Sequence, residues 1–245
     1  MNRTSITGLA CLLAVALTAC AGGGEPPAPS GSPASAPLEA LKEPANSMSV
    51  SPPLSPAPVS AEALAAYRAL LAGEPGALDR PPEGLELHQV TLPPAEELEY
   101  VLLDLDGDGG AELVVQMVAQ PHQFNAVFHY GDGELSCWQY DIMEMSCRDY
   151  PLGDGAMVRQ YDTGTGPNRY SNLYTVFRYL PDGETEECAS LAVHQDTQED
   201  GTEVFTYLVD DAEVDQDTFA AEFEELVGSR LLSLEDWTPA KERPG

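Results

Sequence analysis

Cations are scarce in this chain. Eleven Lys and Arg stand against 41 Asp and Glu, a formal net charge of -30. Such a surface repels nucleic acid and anionic lipid headgroups, so neither is expected as a direct partner. Catalytic signatures are missing as well. The histidines His88, His122, His129 and His194 show no paired zinc spacing, and no His-Glu-x-x-His occurs. There is no Gly-x-Ser-x-Gly elbow and no Gly-rich phosphate loop ending in Lys-Ser/Thr. Gly164-Thr165-Gly166-Pro167 lacks the Lys and the helix that would make it one. No long repeat recurs, which argues against a full propeller. With 41 acids, some pair at glycosidase separation is inevitable and carries no information.

What is present begins with an address. One basic residue, Arg3, precedes an apolar run from Ile6 to Ala19 that is too short to span a bilayer. It ends Leu17-Thr18-Ala19-Cys20, with small residues before a cleavage point. This resembles the lipobox of bacterial lipoproteins. The resemblance implies that residues 1–19 are a signal peptide, that Cys20 becomes the first mature residue, and that its diacylglycerol (palmitate-type) chains anchor the protein to the membrane. Two acyl chains suffice for stable anchoring. Residues 20–58 are then a tether rich in Pro, Gly, Ala and Ser, with too little apolar surface to offset its ordering entropy. Residues 59–240 read as a single globular domain and 241–245 as a tail. Most of the acids serve solubility.

The exported part keeps Cys137, Cys147 and Cys188. Export permits disulfides, and Cys137 with Cys147 could bridge two paired strands across a short loop. Three is an odd number, so at least one thiol is left over as a small buried residue.

A helix is expected from Ala61 to Ala72, striped by Leu64, Tyr67, Leu70 and Leu71, capped by Ser60 and stopped by Gly73. Strand periodicity follows in short segments: 85–90, 99–105, 112–118, 125–130, 134–141, 157–162, 173–180, 188–194 and 203–209. Leu113-Val114-Val115 is apolar throughout, as in a strand buried on both faces. Gly131-Asp132-Gly133 and Pro181-Asp182-Gly183 are turn chemistry. Asp215 caps a last helix striped by Phe219, Phe223, Leu226 and Val227. The order predicts an α+β fold, an antiparallel sheet of about seven to nine short strands with an N-terminal and a C-terminal helix packed on it. Asp196, Glu199, Asp200 and Glu203 around Gly201 read as a solvated hairpin.

The sharpest motif is Asp104-Leu105-Asp106-Gly107-Asp108-Gly109-Gly110-Ala111-Glu112. Counting from Asp104, carboxylates hold positions one, three and five. Gly109 sits where a sharp turn is needed, Gly110 offers a backbone carbonyl at seven, and Glu112 stands at nine. This is a ligand order for a hard cation, most plausibly Ca²⁺. Mg²⁺ fits less well because it prefers few carboxylates and several waters. Position twelve is Val115, where an EF-hand needs Glu, and the flanks are strand-like. The motif resembles instead the strand-loop-strand calcium turn of FG-GAP and VCBS-type repeats, here in a single copy. With the preceding Ala66 to Leu71 helix and Val214-Asp215 leading to Phe219, the ordering is similar to uncharacterised surface lipoproteins of Gram-positive bacteria.

The expected protein is therefore extracytoplasmic and lipid-anchored, non-enzymatic and calcium-stabilised. It would bind a protein or carbohydrate ligand. The rivals are a structural or envelope-assembly component and an extracytoplasmic hydrolase working with acidic residues. Tyr130, Trp138, Tyr140, Tyr150, Tyr161, Tyr170, Tyr174, Tyr179 and Tyr207 fall in or beside the strands, where they are either core or an exposed recognition face.

Overall fold

A computed structural model describes residues 57–140, 147–166 and 168–242 of the 245. The expected signal, Cys20 and nearly all of the tether lie outside the described residues. Helix α1 spans Ala61–Leu71; the Ser60 hydroxyl accepts from the Ala63 N–H at 3.0 Å, as an N-cap should. Its buried face is Ala63, Tyr67 and Leu71.

The segment expected as a strand at 85–90 is not one. Leu87–Gln89 forms a 3₁₀ turn, as does Ala95–Glu97. Pro81 and Pro82 precede it and Pro93 and Pro94 follow it, so a ladder could not be extended past either end, and its own Leu85 and Val90 N–H groups are spent on local turns. Leu85, Leu87 and Val90 also lack the strict two-residue alternation of a pleated strand.

Among the described residues eleven strands follow, in two antiparallel sheets instead of the expected one. The first contains β1 (Leu98–Leu103), β2 (Glu112–Met117), β3 (Gln120–Gly131), β4 (Glu134–Tyr140) and β11 (Thr238–Pro239), in the order β11-β1-β2-β3-β4. The second contains β5 (Cys147–Pro151), β6 (Met157–Gly166), β7 (Arg169–Tyr179), β8 (Thr185–Thr197), β9 (Glu203–Val209) and β10 (Ala212–Val214), in the order β10-β9-β8-β7-β6-β5. Helix α2 spans Gln216–Leu226, and the Asp215 carboxylate accepts from the Thr218 N–H at 2.8 Å. The fold class is α+β. All the described residues fall in one compact unit.

Alternation assigns the layers. Leu98, Tyr100, Leu113, Val115, Ala126 and Phe128 point from the first sheet toward Tyr67 and Leu71 of α1. Val101, Leu103, Val114 and Val127 point the other way, onto Met157, Phe177 and Tyr179 of the second sheet, with Trp237 closing that core. The far face of the second sheet carries α2, where Phe223 meets Tyr174 edge-on and Phe219 packs on Tyr207. The layers are thus helix, sheet, sheet, helix. Strand β2 is buried on both faces because it lies third of five in a covered sheet.

Cys137 and Cys147 do not lie on paired strands. Cys137 is on β4 of the first sheet, buried in the core against α1, and its thiol donates to the Gln139 carbonyl at 3.1 Å. Cys147 opens β5 of the second sheet, opposite Tyr161. No disulfide joins them.

A polar bridge links the sheets near one end. Asp149 on β5 is fully buried, and its carboxylate takes two Arg159 nitrogens, at 2.9 and 2.6 Å, and Gln139 Nε2 at 2.7 Å. Tyr179 donates to Gln139 Oε1 at 2.6 Å, and Asn125 Nδ2 donates to the Asp149 carbonyl. Satisfying every partner is what makes such burial tolerable.

Candidate metal centre

The acidic loop joins β1 to β2, and the last ladder pair before it is Leu103 with Glu112. The hairpin thus fixes both ends of the loop. Three contacts fix its middle. Leu105 points inward and is fully buried in the inter-sheet core. The Tyr67 hydroxyl donates to the Ala111 carbonyl at 2.8 Å, tying the loop to α1. Gly155, in the turn between β5 and β6, stands so close that a Cβ there would come within 2.0 Å of the Asp104 carbonyl oxygen.

Carboxylates fold the loop over itself. Asp104 accepts from Gly107 N–H at 2.8 Å and Gly109 N–H at 3.1 Å, Asp106 from Asp108 N–H at 3.1 Å, and Asp108 from Gly110 N–H at 2.5 Å. Gly107 and Gly109 adopt φ of 78° and 87°, a region that other residues enter at a cost. Asp104, Asp106 and Asp108 each bring a carboxylate oxygen within 4.8 Å of the others. Hard cations take such oxygens, and this acidic group is able to hold a metal ion.

A second group shares Asp106. Its oxygen, one from Glu112 and a nitrogen of His129 also lie within 4.8 Å of one another. Glu112 is 2% exposed. Its Oε2 accepts from the Leu105 N–H at 2.8 Å, and its Oε1 lies 3.0 Å from His129 Nδ1. The five residues expected to share one site are therefore divided. Asp104, Asp106 and Asp108 come together, Gly110 serves Asp108 through its N–H, and Glu112 turns inward toward His129.

His129 is the residue that the motif missed. It lies 17 positions from Glu112 in the chain and becomes its neighbour only through strand pairing, since Leu113 faces Phe128 in the β2–β3 ladder. Its ring stacks on Trp138 with centroids 4.3 Å apart, and Trp138 stacks on Tyr179.

The electrostatics are those of a crowded anionic pocket. Burial raises the Asp106 carboxyl above its ordinary range; the Asp108 N–H opposes this and the Asp108 charge adds to it. Asp106 as a whole remains partly open to solvent, yet its Oδ2 is sealed from water and meets no hydrogen-bond donor. Burial also raises Glu112, against the hydrogen bonds from His129 and Leu105. For His129 burial acts downward, but the hydrogen bond and charge of Glu112 outweigh it and the imidazolium is favoured. Both members of the pair hold their protons longer than usual, as a cluster of carboxylates dictates.

Elsewhere, an open groove of about 940 Å³ runs beside the C-terminal end of α1, lined by Leu70, Leu78, Leu87, Val90, Leu92 and Pro94 among others. Of the strand aromatics, Tyr161 is exposed; Tyr150, Tyr174 and Tyr179 are buried and the rest are half-buried. Among the described residues, no helix is long and apolar enough to cross a membrane. Compared with known protein families, curated proteins and solved structures, the chain matches none of them.

Proposed function

We propose that this chain is a calcium-stabilised, lipid-anchored extracytoplasmic protein of ligand- or partner-binding type. The observation that carries the calcium reading is the convergence of Asp104, Asp106 and Asp108 in a loop folded by positive-φ glycines and Asx turns. Three carboxylates at that spacing repel one another, and a divalent ion removes the repulsion. The Gly110 carbonyl and water would supply further oxygens of the kind calcium takes. Extracellular calcium modules bind at about 10⁻⁴–10⁻³ M, so the site fills outside the cell and stays empty in the cytosol. Folding would then be completed by export. The groove beside α1 supports a binding role, since it is concave and sets apolar side chains such as Leu70, Leu78 and Val90 beside polar ones such as His88, Thr91 and Glu96.

One observation favours a second reading, a structural envelope component. Of the nine strand aromatics only Tyr161 is exposed, and Tyr130, Tyr140 and Trp138 pack against the cores, so much of the sequence feature that would have marked a recognition face serves packing.

Calorimetric titration with CaCl₂, paired with thermal melts in calcium and in EDTA, tests the calcium reading. The expected result is a saturable heat and a higher Tm in calcium, both lost in Asp108→Asn. A wild-type chain that melts identically in calcium and in EDTA overturns it. Pull-down from the envelope fraction, with and without chelator, separates the binding and structural readings.

A further inference from the structure

The calcium loop is the sharp motif, but the buried Glu112 beside it belongs to a different constellation. Asp106 comes from the loop, Glu112 from the first residue of β2 and His129 from β3. Their ligand atoms lie within 4.8 Å of one another. The set is two carboxylate oxygens and one imidazole nitrogen. Calcium prefers oxygen throughout, whereas imidazole with carboxylate suits zinc and its neighbours among the divalent transition metals.

We infer that Asp106, Glu112 and His129 form a second cation site, beside the calcium loop, that takes a borderline divalent metal of the zinc type. It rests on the calcium reading only for the shared Asp106.

Four features of the structure support it. Asp106 Oδ2 is buried and lacks any hydrogen-bond partner, and a buried carboxylate oxygen left without a donor calls for one or for a cation. The Glu112–His129 separation of 3.0 Å is close to the roughly 3.3 Å between neighbouring ligands in a tetrahedral zinc site with bonds of about 2.0–2.1 Å. A metal entering there needs an opening of a few tenths of an ångström and takes the place of the hydrogen shared by the pair. The ligands are also held in orientation. The Leu105 N–H fixes the other oxygen of Glu112 at 2.8 Å, and Trp138 stacks on the imidazole with the ring planes 11° apart. Such supporting contacts typically govern metal affinity by 10–100-fold. Finally, a Cβ on Gly131 would come within 2.5 Å of His129 Nε2, so the missing side chain leaves room for the outer edge of the ring. Three protein ligands leave a fourth zinc position for water or for a group on a partner.

The test uses the full chain in detergent, saturated with CaCl₂, with Zn²⁺ titrated against a competing chelator. Wild type is expected to take up one Zn²⁺ without releasing calcium. His129→Gln should lose zinc at least 10-fold and keep calcium. Asp108→Asn should do the reverse. In wild type loaded with Co²⁺ as probe, one exchangeable imidazole N–H proton should be paramagnetically shifted, because ligation through Nδ1 leaves the proton on Nε2; this readout needs no variant to fold. Zinc uptake that His129→Gln leaves unchanged, zinc that calcium displaces competitively, or a cobalt-loaded chain with no shifted imidazole proton would each overturn the proposal. A chain that binds zinc as expected but ignores calcium would sink the calcium reading alone.

Discussion

Glu112 Oε1 and His129 Nδ1 lie 3.0 Å apart on neighbouring strands, where the second residue is out of reach of any local motif and the first is its ninth position. The pair faces the inter-sheet side of the first sheet, where the rest of that row, Val101, Val114 and Val127, is apolar. A polar pair at the mouth of an apolar row has to be occupied by a proton or by a cation.

That relationship sets a pH dependence for the metal-free protein. His129 is raised from its ordinary 6.5, so its contribution is fully present below pH 6.5 and is lost as pH rises through the folded value. Glu112 is raised from 4.5 by burial, so its ionisation becomes a cost as pH rises above that value. Both signs agree. In EDTA, the urea midpoint of wild type should fall between pH 6 and pH 8, and in His129→Gln this fall should flatten. A midpoint that rises over that interval in wild type would contradict the pairing.

Gly155→Ala should be far more damaging than Gly201→Ala. Both glycines have φ near 85°, so both substitutions carry about 1 kcal/mol of backbone strain. At Gly201 a Cβ meets nothing within 4 Å, whereas at Gly155 it meets the Asp104 carbonyl at 2.0 Å. Overpacking adds roughly 1–3 kcal/mol there. Denaturant unfolding should place Gly155→Ala about 2–4 kcal/mol below wild type and Gly201→Ala about 1 below. Gly155→Ala should also weaken calcium binding, because it pushes on the backbone of the loop's first ligand.

Leu105→Ala leaves every candidate ligand in place but removes a fully buried side chain between two of them. The expected loss of stability is about 2–5 kcal/mol in EDTA. Calcium should restore part of it, since binding to the folded state adds stability by mass action, about 2.7 kcal/mol at 100 times Kd. Paired chemical melts in EDTA and in CaCl₂ give both figures.

Reductant should leave the melting temperature unchanged, because no disulfide joins Cys137 and Cys147. Burial pushes the Cys137 thiol up to about 12, against the opposing contact of Gln139. A thiol reagent applied to the native chain should therefore modify exposed Cys188 promptly and Cys137 only on unfolding. Rapid labelling of Cys137 in the native state would place it elsewhere than the α1 core.

Sequence periodicity was enough to locate both helices, their caps and most strands. Ser60 and Asp215 act as the expected N-caps, and β2 is apolar on both faces as its sequence implies. Strand β5 was hidden because Cys147-Arg148-Asp149-Tyr150-Pro151 carries two charges and a proline. Asp149 is buried there only because Arg159, one strand away, neutralises it. The division into two sheets is a matter of which strands pair, and composition does not encode that. The acidic loop was plain because all its candidate ligands lie within nine residues. His129 was invisible for the opposite reason, although setting Leu113 opposite Phe128 would have brought it beside Glu112.

The bond from Tyr67 to the Ala111 carbonyl has a mechanical consequence. Helix α1 is the first described element of the chain, so tension arriving from the N-terminal side reaches it before any strand. The phenol passes that pull to the Ala111 carbonyl, one residue before β2 begins. An ion held by the acidic loop would stiffen the hairpin that receives the load.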